Sequence, residues 1–265
     1  MDWFDICRTV KNVGWPGVVY DLHYRGLNRF TLYKILHGKT VTIETLDRQF
    51  LAGSDRYRYG FLDEDALRRH SLDPSNRLGG AFLDKALRKG DSCFAILDGE
   101  TLASFCWYSD KPAQINEDLE LHFHPAWIYM YHGHTRDEYR GQRLFSIGMA
   151  KAAEALIQRG FNGVICYVEA NNSSSMRALH RVGFRHIGSA RVLRVFGRHI
   201  IRRDATCREY GLDVKEAARE CSSSVLVEGS GALGEPPAAR RRWFVNREPR
   251  GERSQERRTR RLESR

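Results

Sequence analysis

The sequence predicts an α/β fold, a mixed sheet with helices on both faces. Three observations carry this. Residues 92–97 (SCFAIL) and 101–108 (TLASFCWY) are β-rich runs separated by Asp98, Gly99 and Glu100, and an Asp-Gly step between such runs signals a hairpin. From Gly141 to Gln158 the period changes, and GQRLFSIGMAKAAEALIQ is rich in helix formers. The apolar run GVICYVE, residues 163–169, then reads as a buried strand with another helix behind it.

Taken in order, residues 1–60 mix apolar and basic side chains without a clean period (YDLHYRGLNRFTLYKILHG, then VTIETL), which suggests a helix and strands packed beside the core. FLDEDALRRHSL and GGAFLDKALRKGD read as short helices, the second stopped by Gly90. Residues 119–123 and 127–134 are two further strands, broken by Pro125. The helix over 141–158 places Phe145, Met149, Ala152 and Leu156 on one face and stops at Gly160. Asn172 caps a second helix, SSSMRALHRV, that ends at Gly183, and the chain returns to strand character from Phe184 through ARVLRVFG. No repeat of 20 to 50 residues is visible. The expected organisation is an N-terminal segment over 1–90 packed on the core, a core over 91–221, and a disordered Arg-rich tail over 222–265.

Composition narrows the function classes. With 265 residues, 42% of them apolar, the chain can bury a sizeable core, which excludes collagen-like, low-complexity and wholly disordered classes. No stretch approaches the roughly 18 apolar residues that cross a bilayer, and the start, MDWFDICRTV, lacks the pattern of a secretory signal, so a cytoplasmic protein without a membrane span is expected. The six cysteines, Cys7, Cys93, Cys106, Cys166, Cys207 and Cys221, form no CxxC pair and are expected to be buried or idle thiols. The formal charge of +10 is mostly local, because residues 236–265 hold eleven arginines against four glutamates. The basicity therefore belongs to the tail, which is either a solvated end or a contact for an anionic partner such as nucleic acid. Trp243 and Phe244 are its only aromatics, too few for a base-stacking platform.

A strand feeding a helix through a short Gly-containing loop aims unpaired N–H groups and the positive end of the helix dipole at one place, where anionic phosphate is favoured. Residues 134–144 have this form, with Arg140 and Arg143 adding charge and Gly141 letting a ligand approach the backbone. After the next strand comes Asn172-Ser-Ser-Ser-Met-Arg-Ala-Leu-His-Arg-Val-Gly183-Phe184. Together the two segments resemble the GNAT superfamily of acyl-CoA-dependent N-acyltransferases, whose loop reads roughly Arg-Gly-x-Gly-x-Gly/Ala and whose next helix runs from Asn to Gly-Phe. The resemblance covers about residues 92–196.

The resemblance implies a mostly antiparallel GNAT-like sheet with splayed central strands, and acyl-CoA, first of all acetyl-CoA, as co-substrate. Backbone N–H groups from Gln142 through Arg143 and Leu144 to Phe145 would hold the pyrophosphate, with Arg140 and Gly141 beside them. Thr135 and its neighbours would pair with the pantetheine arm, and Asn172 and Ser175 would touch it from the second helix. Three departures stand out. Arg143 and Phe145 occupy positions where the family carries small residues, and Leu179 stands where members often have the tyrosine that protonates the leaving thiolate, with His180 turned elsewhere.

The implied chemistry is direct attack of a primary amine, on a small molecule or a protein, on the thioester. Candidate bases are Glu120, His122 and His124 on one strand, His132 and His134 on the next, and Glu169 before Asn172. Alternation puts the first three on one face and the next two likewise. The same residues offer an alternative, since His122/His124 and His132/His134 are HxH pairs that could hold a metal if their strands were antiparallel neighbours. Residues 1–90 are expected to help shape the acceptor pocket; Trp107, Tyr108, Trp127, Tyr129 and Tyr131 would suit an apolar or ring-bearing acceptor or plain sheet packing, and Cys166 could carry an acyl group or fill the core. The oligomeric state is not legible.

Overall fold

The computed structural model describes residues 33–217 except Gly197, together with Val19 and Gly26. Its elements are β1 (Tyr33–Val41), β2 (Tyr57–Leu62), α1 (Glu64–Ser71), α2 (Gly80–Lys89), β3 (Ser92–Asp98), β4 (Thr101–Ser109), β5 (Ala113–Gln114), β6 (Leu119–His122) and β7 (Trp127–Thr135). There follow α3 (Leu144–Gln158), β8 (Gly163–Glu169), α4 (Ser173–Val182), β9 (Arg185–Val195), β10 (Arg198–Arg203), α5 (Ala205–Glu209) and β11 (Asp213–Glu216). The Arg-rich tail lies outside the described residues.

Eight strands form one sheet in the order β10-β9-β1-β8-β7-β4-β3-β2, and β11-β6-β5 form a second. Every neighbouring pair in the large sheet is antiparallel except β7 and β8. That parallel pair is brief: Trp127, Ile128 and Tyr129 face Gly163, Val164 and Ile165, and beyond them the strands part. This is the mixed, mostly antiparallel sheet with splayed central strands expected above. β1, from the stretch without a clean period, lies between β8 and β9 near the middle of the sheet.

Alternation along the hairpin assigns the helices to opposite faces. Cys93, Ala95, Phe105 and Trp107 pack with Leu67 of α1 and with Leu83 and Ala86 of α2. Phe94, Cys106 and Tyr108 join the larger core with Met149, Ala152 and Leu156 of α3 and Leu179 and Val182 of α4. The Asn172 side chain accepts from Ser175 N–H at 3.1 Å, the cap read from sequence, and α4 stops at Gly183.

Two boundaries differ from expectation. α3 starts at Leu144 rather than Gly141, because Gly141 (φ +83°) and Arg143 (φ +60°) both turn left-handed and hold a loop open ahead of the helix. β6 ends at His122, so Phe123 and His124 leave the strand; the His124 ring accepts from Ala126 N–H at 3.1 Å and does not share the Glu120 face.

Candidate functional site

β7 is the hinge of the site. In its pairing with β4, Phe105 faces His134 and Trp107 faces Tyr131, so His132 and Gly133 together oppose Cys106 alone. This is a β-bulge, with His132 at φ +44°. It falls where β7 has already left β8, so the β7 edge from Met130 onward makes no ladder to β8. A Cβ on Gly133 would lie 2.3 Å from the Phe145 ring, so the absence of a side chain there lets the first turn of α3 close on the bulge.

The loop between β7 and α3 is tied down at three points. Arg136 donates to Asn76 Oδ1 at 2.9 Å and pairs with Asp73. Tyr139 O–H donates to Asp98 Oδ2 at 3.0 Å, and Tyr57 O–H donates to Gln142 Oε1 at 2.6 Å. Between these anchors Gly141, Gln142 and Arg143 are exposed, and Arg143 gives α3 no side-chain cap. The first-turn N–H groups are thus available to a ligand, at the positive end of a 15-residue helix. Arg140 pairs with Asp137 at 2.7 Å. Thr135 sits at the end of β7, its hydroxyl 2.8 Å from Ser104 Oγ. Asn172 and Ser175 stand at the start of α4, which packs beside α3.

The opposite face carries aromatic rings. Tyr129 stacks on Tyr131 at 6.1 Å, on Tyr167 of β8 at 6.0 Å and on Phe123 at 5.6 Å. Glu120 Oε2 lies 3.0 Å from His122 Nε2, so those two are brought together. Glu169 is bound by Lys34 in an ion pair. His134 lies beside Phe105 at 5.9 Å on the large sheet, whereas Glu120 and His122 belong to the small one. Cys166 is buried, and burial pushes its thiol above the ordinary range. Leu179 is a buried core residue, and His180 is exposed.

The metal alternative is corrected. β6 belongs to the small sheet and β7 to the large one, so His122/His124 and His132/His134 are not on neighbouring strands. Among the described residues no cluster of His, Cys, Asp or Glu is arranged to hold a metal ion. The anchors Tyr57, Asn76 and Asp98 had no signal in the sequence, whereas a glycine between two histidines inside a strand run was a legible sign of a bulge. A separate open cleft of about 500 Å³, lined by Arg202, Arg203, Arg208 and Asp213, lies at β10, α5 and β11, and Arg203 is paired with Asp213 there.

Burial holds the half-buried His37, His70 and His134 below the ordinary imidazole range, and neighbouring basic groups (His186, Arg69 and Arg77 respectively) act in the same direction. A depressed folded-state pKa means the unfolded chain binds more protons once the pH drops below about 6.5. The urea midpoint is therefore expected to fall as the pH is lowered from about 7.5 to about 5.5, and a flat midpoint would show that these rings are solvated.

The family model described as Acetyltransferase (GNAT) family matches residues 57–184. Similar solved structures include a GNAT-family protein from Novosphingobium aromaticivorans (15% identity over 58% of this chain and 60% of that one, TM-score 0.41). Others are a GNAT-family acetyltransferase from Colwellia psychrerythraea (12%, 69% and 60%, 0.41) and a GCN5-related N-acetyltransferase from Kribbella flavida (13%, 67% and 63%, 0.41). The chain spans less than two thirds of each of these structures. No curated protein matches the sequence.

Proposed function

We propose, on the premise that residues 57–184 are a GNAT-family acetyltransferase domain, that this protein transfers an acyl group, first of all acetyl, from acyl-CoA to a primary amine by direct attack. The observation that carries the reading is the parting of β7 from β8 after Tyr129, beside an uncapped helix start. A ligand with a pyrophosphate at one end and an amide-bearing arm at the other fits both features. N–H groups of Gln142, Arg143, Leu144 and Phe145 take the pyrophosphate, Gly141 lets it approach, and Arg140 and Arg143 supply charge. The arm lies along the open β7 edge toward Thr135, with Asn172 and Ser175 on its other side.

The thioester is already activated, so the protein orients a neutral amine against the carbonyl and provides for one proton. The rings of Tyr131 and Tyr167, stacked on the buried Tyr129, favour an acceptor with a cationic or ring-bearing body, either a small amine or an amine on a protein. With Leu179 at the usual acid position, the CoA thiolate takes its proton from water. Cytoplasmic residence is part of this proposal and accords with free, buried Cys93, Cys106, Cys166 and Cys207.

The test is release of CoA thiol from acetyl-CoA in the presence of 2-phenylethylamine, spermidine or a lysine-containing peptide, with the product weighed by mass spectrometry. An acetylated amine is expected from at least one of the three. Thiol release no faster than in buffer, for all three, would contradict the proposal.

A further inference from the structure

Among the described residues Asp91 is the only Asp, Glu, Lys or Arg in the buried class, and its side chain is 1% exposed. Burying a carboxylate is costly unless it is paired and hydrogen-bonded. Asp91 is only partly compensated. Its Oδ2 accepts from Tyr131 O–H at 2.5 Å, Lys89 Nζ lies 3.6 Å away, and its Oδ1 has no hydrogen-bond partner. Such a group is a poor stabiliser of the fold, which raises the question of what it serves.

Its partner stands at the parting of the strands. Tyr131 is two residues past Tyr129, the last β7 residue paired with β8, and its half-buried ring continues the stack that Tyr129 makes with Tyr167. Because the phenol donates its hydrogen to Asp91, its oxygen lone pairs remain to accept from a group arriving over the rings. Burial and the adjacent carboxylate hold the phenol above its ordinary range, which keeps that hydrogen in place. The other charged or titratable groups facing the pair are Lys89 and Tyr129, the thiols of Cys93 and Cys106, and, through Lys89, Glu120 and Lys111.

We propose that Tyr131 and Asp91 are the proton relay of the acyl transfer, Tyr131 as a catalytic residue touching the acceptor amine and Asp91 as the positioning residue and proton sink behind it. This rests on the acyltransferase reading above. As the amine lone pair forms the C–N bond, the amine proton passes to the Tyr131 oxygen and the Tyr131 proton passes to Asp91 Oδ2. The C–S bond breaks with its electron pair leaving on the CoA sulfur, which is protonated by water. Asp91 returns its proton through Tyr131 to solvent once the product has left.

The test uses the full chain, acetyl-CoA, and whichever of 2-phenylethylamine, spermidine or the lysine peptide the wild type acetylates. Tyr131→Phe keeps the ring and removes the relay atom, and Asp91→Asn keeps the shape and removes the proton sink. Each is expected to lower kcat at least tenfold with acetyl-CoA affinity within about threefold of wild type, and to flatten the rise of kcat with pH. The double variant should be no more than about threefold worse than the worse single one, because the two act as a unit. A loss under tenfold in Tyr131→Phe, an unchanged pH profile, or losses that multiply would overturn the relay. Should Asp91→Asn fail to fold, Tyr131→Phe decides alone by kcat and pH profile. Wild-type turnover beside a large loss in Glu120→Gln and none in Tyr131→Phe would move the base to β6 and leave the acyltransferase reading intact. A wild type that acetylates none of the three amines overturns that reading and the relay with it.

Discussion

Replacing Gly183 with alanine is expected to lower the unfolding free energy by about 3 to 5 kcal/mol. Gly183 ends α4 at φ +101°, and a Cβ there would lie 1.9 Å from the Thr45 carbonyl oxygen and 3.2 Å from Asp47 N. Both are backbone atoms, so no rotamer change can relieve the clash. The turn after β1 rests on the end of α4 through Asp47 N–H donating to the Val182 carbonyl at 3.0 Å. Moving that turn away gives up the hydrogen bond, about 1 kcal/mol, and loosens Leu46 and Phe50 from the core they share with Val182 and Phe184. The left-handed conformation adds about 1 to 2 kcal/mol for any residue with a Cβ. Chemical denaturation of the two proteins measures the difference, and a shift under about 1 kcal/mol would mean that the turn and the helix end are not locked together.

The second large effect is on ligand affinity rather than stability. Gly141→Val is expected to weaken acetyl-CoA binding at least tenfold, with a loss of stability of no more than about 2 kcal/mol from the left-handed backbone. Here nothing lies within 4 Å of the Cβ position, so crowding is not the cause. Gly141 holds φ +83° in an exposed loop, a conformation a β-branched residue avoids. Tyr139 is held by Asp98 and Gln142 by Tyr57, so the chain can relax only by turning the peptide groups between these anchors. Those peptide groups carry the N–H donors proposed for the pyrophosphate. Calorimetric titration of both proteins with acetyl-CoA checks this, and equal affinities would remove Gly141 from the site.

What could be read from the sequence was local. The Asp-Gly hairpin, the GVICYVE strand, the Asn172 cap and the Gly90 and Gly183 stops all depend on residues a few positions apart, and all form as read. Residues 134–144 read as a candidate anion site from the fixed polarity of a helix start, and two left-handed residues delay that start to Leu144. β1 was not legible as a clean strand: its burial alternates from Leu36 to Thr40, but two of the buried positions are Gly38 and Thr40, so YKILHGKTV shows no apolar alternation. The contacts that build the site join residues far apart in the chain. Tyr57 reaches Gln142 across 85 positions, and Tyr131 reaches Asp91 across 40. Spacing carries no record of such pairs. The histidine pairs misled for the same reason, since which sheet a strand joins is decided by tertiary packing.

Acyl-CoA bound as proposed lies across the open edge of β7 and the start of α3. Backbone hydrogen exchange, followed with and without saturating acetyl-CoA, tests it most directly. The account predicts slowed exchange at residues 130–135 of β7 and at residues 142–145, with little change in the β9–β10 hairpin. Saturating acetyl-CoA that leaves the exchange of both segments unaltered would contradict it.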